Sequence, residues 1–96
     1  MQPINKMAGV GGTQFYDGTA TLAIQAWAIQ INADAVINVL TDMGEDGSSK
    51  LNDITGSSDQ NITSKTLKSG ILLTAAPGKV FDQVSLTSGD IIIHKV

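Results

Sequence analysis

The sequence predicts an all-β fold, a small antiparallel β-sandwich or barrel-like meander with a flexible N-terminal arm. Three observations lead there. In "TLAIQAWAIQINADAVINVL", Thr21 to Leu40, apolar residues recur at every second position, the period of a pleated strand. The C-terminal third sets runs of Ile, Val and Leu between a Pro-Gly and a Ser-Gly pair, the dipeptides that punctuate strands. Between these regions, Thr41 to Lys68 is mostly Asp, Gly, Ser, Asn and Thr, the composition of turns and loops.

Taken in order, residues 1–20 read as the arm. Gly9, Gly11 and Gly12 lie close together, and little precedes Phe15 and Tyr16 that would anchor a core. Residues 21–96 form a single β domain. Its first strand carries Leu22, Ile24, Ala26 and Ala28 on one parity and Trp27, Ile29 and Ile31 on the other. The apolar parity therefore shifts near Ala26 to Ala28, as a bulge or a contact with a second sheet would require. The alanines make helix the rival reading, but period-2 spacing with β-branched and aromatic residues favours strand. Trp27 reads as core filling.

"NAD", residues 32–34, predicts a turn, because Asn and Asp side chains bond their own backbone two residues on. "AVINVL" then restarts as a second strand. The polar insert at about 41–68 offers only Met43, Leu51, Ile54, Ile62 and Leu67 as apolar residues; it predicts a short strand around Ile62 and exposed turns elsewhere. After it come "GILLTAA", a type II turn at Pro77-Gly78, "KVFDQVSL", a turn at Ser88-Gly89, and "DIIIHKV", a three-stranded meander. The unbroken run Ile91, Ile92, Ile93 suits a strand covered on both faces. An uncovered strand at a sheet edge would present a row of unpaired backbone groups. The expected cover is a second chain, with Ile91, Ile92, Ile93 and Val96 at the interface and Phe15 and Tyr16 as anchors of an arm that orders on docking.

The bulk numbers narrow the function classes. A chain of 96 residues makes one domain of modest stability unless copies associate. Nine acids outnumber six lysines, for a formal charge of −3, so there is no basic stripe for phosphates and no nucleic-acid partner is expected. No apolar run is long enough to span a bilayer and "MQPINKMAGVGG" lacks a signal-peptide core, so the expectation is a soluble chain made in the cytoplasm, without a membrane partner. With no cysteine, disulfides and thiolate metal sites are excluded. His94 is the single histidine and reads as a surface or interface residue. Asp42, Glu45 and Asp46 in "TDMGEDGSS" miss the spacing of a calcium loop and read as a solvated acidic loop. "GVGGTQ" lacks the Lys-Ser/Thr pair of a phosphate loop, and no serine sits in a G-x-S-x-G setting. No catalytic, cofactor-binding or metal-ligating residue is assigned, and an enzyme is not expected.

One longer pattern is more specific. "APGKVFDQVSLTSGDIIIHK", together with "ADAVINVLTD", resembles small proteins encoded beside the major capsid protein in tailed bacteriophages. The matching positions are Asp34 to Ile37, Leu40 and Thr41, Pro77 and Gly78, Phe81, Val84, Leu86, Ser88 and Gly89, and Ile91 to Lys95, covering roughly residues 29–96. The resemblance implies a virion structural protein, most often an auxiliary or decoration protein on the head. The expectation adopted is a domain that binds the outer capsid surface, partnered by the major capsid protein and by copies of itself, with a trimer favoured. A head-fibre, neck or receptor-binding module, with the insert touching a host ligand, is the alternative it leaves open.

Overall fold

The computed structural model describes residues 12–96. It is all β, one antiparallel sheet built from β1 (Thr13–Tyr16), β2 (Leu22–Gly44), β3 (Asn52–Asp53), β4 (Thr66–Leu67), β5 (Leu72–Thr74) and β6 (Lys79–Lys95). The 23-residue β2 and 17-residue β6 pair with each other from Ala26↔Lys95 to Gly44↔Lys79 as one long ribbon. Each was expected as two strands separated by a turn.

The difference lies in how the ribbon changes direction. Ala33 pairs with Asp90 and Val36 with Ser88, so Asp34 and Ala35 together face Gly89. This two-against-one mismatch is a bulge, which bends both strands without breaking their pairing. Gly89 has φ +97°, and a Cβ added there would lie 2.6 Å from the Asp34 carbonyl oxygen. The residues read as two turns, "NAD" and Ser88-Gly89, are thus the two sides of a single corner. Asn32 Nδ2 donates to Asp90 Oδ2 at 2.9 Å, the Ser69 N–H to Asp34 Oδ1 at 2.9 Å, and Ser69 Oγ to the Asn32 carbonyl at 2.9 Å.

A second irregularity matches the parity shift. Ala26 pairs with Lys95 and Ala28 with His94, leaving Trp27 as the extra residue. Before it Ile24 and Ala26 face the core; after it Ile29 and Ile31 do. Beyond the corner the ribbon rolls onto itself. Val84 pairs with Leu22 on one side and Leu40 on the other, and Phe81 with Ala26 and Asp42. Read across, the sheet runs β1, C-terminal β6, N-terminal β2, N-terminal β6, C-terminal β2, β3, a barrel-like wrap around Phe81, Ile29, Ile31, Ile37, Leu40, Leu86, Ile91 and Ile93, all buried.

Residues 41–44, expected to open the polar insert at about 41–68, instead end β2, because they pair with β6; the segment between β2 and β6 spans residues 45–78 and runs back along the free edge of β2. β3 pairs with Thr41–Asp42, β4 with Ala35–Val36 and β5 with Ala28–Gln30. Ile54, Ile62, Leu67 and Leu73 bury their side chains in the core. The strand expected around Ile62 does not form; the Ile62 N–H instead donates to the Thr55 carbonyl at 3.0 Å. The Pro77-Gly78 turn does form, with Gly78 at φ +77° and the Lys79 N–H on the Ala76 carbonyl at 2.9 Å. It does not fold a meander, however. It sets β5 and the start of β6 end to end along one edge of β2, Leu72–Thr74 opposite Gln30–Ala28 and Phe81–Val84 opposite Ala26–Leu22.

The arm is also shorter than expected. Thr13 to Tyr16 pair with His94 to Ile91, so part of the predicted arm is the strand that covers β6. The rest of that expectation, residues 1–11, lies outside the described residues.

Candidate functional site

Strand pairing places side chains of registered residues on one face. Around β6 this separates two sets. Gln14, Ile93, Ile29 and Leu73 form one row and Tyr16, Ile91 and Ile31 another, both turned inward. Outward lie the rows Phe15, Ile92, Gln30, Leu72 and Thr13, His94, Ala28, Thr74. Neither outward row contains an acid or a lysine, although the chain carries nine acids and six lysines. Phe15 is 66% exposed and Leu72 48%, so the face presents apolar surface on paired strands.

The bulge shapes this face. Trp27 is half-buried, and its ring lies 5.9 Å from that of His94 at 42°. His94 Nε2 is 3.1 Å from Gln30 Oε1. Trp27 therefore packs on the outer face, not in the core where the sequence pattern had placed it. Its buried indole N–H has no acceptor among the described residues.

The expected interface residues divide accordingly. Ile91 and Ile93 are completely buried and belong to this chain's own core, covered by β1 on one side and β2 on the other. Ile92 and Phe15 belong to the outer face. Tyr16 turns inward against the core, its hydroxyl donating to the Ala20 carbonyl. Val96 lies apart from the face, its N–H donating to the Gln25 carbonyl at 3.0 Å. It lines a cleft of about 530 Å³ with Gln25, Met43, Glu45, Lys50 and Val80. Leu72, Gln30 and Thr13 were not singled out from sequence, since each joins the face only through pairing with a distant strand.

The acidic loop does not gather its carboxylates. Asp42 is buried and accepts from Asn52 Nδ2 at 3.0 Å. Asp46 Oδ1 accepts from Ser48 Oγ at 2.6 Å and the Ser48 N–H at 3.0 Å. These bonds, the hydroxyl first, hold the Asp46 carboxyl below its ordinary value. Among the described residues, no three His, Asp or Glu side chains come together as a metal site would require. Asp82, also buried, accepts from the Thr41 hydroxyl and, at 2.8 Å, from the Leu51 N–H, which fastens the insert to the ribbon.

No protein-family model matches this sequence, and no curated protein or solved structure matches it either.

Proposed function

We propose that this chain is a structural protein of a bacteriophage head, bound in many copies to the outer capsid surface and strengthening the lattice. The observation that carries this reading is the pair of outward rows without acid or lysine, with Phe15, Ile92 and Leu72 in one of them. It is supported by the resemblance of the pattern in residues 29–96 to small head proteins of tailed bacteriophages. Burying the remaining surface of a side chain such as Phe15 or Leu72 contributes about 1–2 kcal/mol. One such contact is weak. Repeated at every lattice site by a bound oligomer, it opposes the pressure of packaged DNA through multivalency.

Quantitative peptide mass spectrometry on purified virions tests this directly. A ratio to the major capsid protein near one, or near a small integer fraction, is the expected result. A few copies per particle would instead favour a fibre, neck or receptor-binding module, in which the exposed polar stretch Gly56 to Asp59 would face the host. Absence from particles would overturn both.

A further inference from the structure

Strand β1 ends the sheet. The Lys95 N–H donates to the Gly12 carbonyl at 2.8 Å. In an antiparallel ladder the backbone groups of successive residues point alternately toward and away from the neighbour. Gln14 and Tyr16 therefore bond β6, while the N–H and C=O of Thr13 and Phe15 point away from it. Among the described residues no strand occupies that outer edge. Edges are ordinarily blunted by lysine, proline or a bulge; "TQFY" has none of these, and its pairing with β6 is regular. The opposite edge, β3, is two residues long and carries Asp53, a poor template.

We propose that the β1 edge is a self-association site, pairing antiparallel with β1 of a second copy about a two-fold axis at Gln14. The register follows from the alternation. Outward-pointing residues must face each other, so Thr13 of each copy opposes Phe15 of the other, and the two exchange about four backbone hydrogen bonds. Gln14 then opposes Gln14, where two side-chain amides can bond each other. The two Phe15 rings become diagonal neighbours on the outer face, within reach of aromatic contact. A second copy is the occupant that fits. The chain is acidic overall, yet β1 and the outward rows beside it carry no acid; the nearest, Asp17, follows β1, and across an axis at Gln14 the two copies' Asp17 residues stand about 20 Å apart, beyond the screening length. The product is an isologous dimer, in place of the trimer expected from the sequence reading, with the two outer faces joined into one. This inference does not rest on the virion reading and holds wherever the chain acts.

The test is the mass of the full chain in solution at about 100 μM, by light scattering and sedimentation, beside two variants. In Thr13→Pro the lost N–H is the one aimed at the partner, so β1 keeps its bonds to β6. Its dissociation constant should rise about 10- to 30-fold with the thermal midpoint of the dilute protein unchanged. Gln14→Pro removes an N–H used within the chain and should lower that midpoint. A monomeric full chain, or an oligomer of any size indifferent to Thr13→Pro, overturns the proposal. So does a chain that dimerises only after residues 2–11 are deleted, since its own N-terminal segment would then hold the edge.

Discussion

Ile91, Ile92 and Ile93 are chemically identical and adjacent, yet they do different things. The outer two are completely buried, and Ile92 is half-buried on the face opposite them. A lysine at position 92 can carry its ammonium into water, so Ile92→Lys should fold, with a thermal midpoint within a few degrees of the parent. Ile91→Lys must bury that charge without a partner and should lose several kcal/mol, enough to unfold a domain of this size. Circular dichroism melts of the two variants make the comparison, and a well-folded Ile91→Lys would contradict the alternation. Phe15 and Tyr16 divide in the same way, one outward and one against the core. Three isoleucines in a row carry no parity of their own; the pairing with β1 and β2 decides which one faces out.

At the level of elements, the corner matters most. Gly89 meets two demands at once: a backbone conformation that L side chains rarely adopt, and the Asp34 carbonyl where its Cβ would be. Gly89→Ala should therefore cost more than about 2 kcal/mol. At Gly78 the φ is also positive but the space is open, and Ala should cost about 1 kcal/mol. Urea denaturation midpoints should separate the two, and equal losses would show that the corner is not strained by a side chain. The Asn, Asp, Ser and Gly residues at 32–34 and 88–89 correctly mark a change of direction. Whether it is a reversal or a bend depends on hydrogen-bond partners more than fifty residues away. The insert behaves likewise: its few apolar residues mark where it is anchored, but its three short strands exist because β2 has an edge to pair with.

For the molecule as a whole, three exposed carboxylates help hold the insert and corner in place. The Ser69 N–H, with Lys68 adding a smaller effect, lowers Asp34; the Ser48 hydroxyl and N–H lower Asp46; the Thr55 N–H and then its hydroxyl lower Asp53, each below the ordinary 3.8. A carboxyl whose folded value is depressed contributes stability that is present above its unfolded value and is lost as pH falls through the folded one. The thermal midpoint should accordingly stay level from neutral pH to about 5 and fall below about 4. Calorimetry across that range checks the sign, and a midpoint that rises on acidification would refute it. The sequence by itself determined the all-β class, the parity shift at Trp27, the Pro77-Gly78 turn and the polar character of the insert, because each follows from the spacing and conformational limits of neighbouring residues. Only the tertiary structure decided that β2 and β6 are continuous, that β1 covers the isoleucine strand, and that Phe15, Ile92 and Leu72 share one face. Those facts depend on register between segments far apart in the chain, and a shift of one residue would exchange the core for the surface.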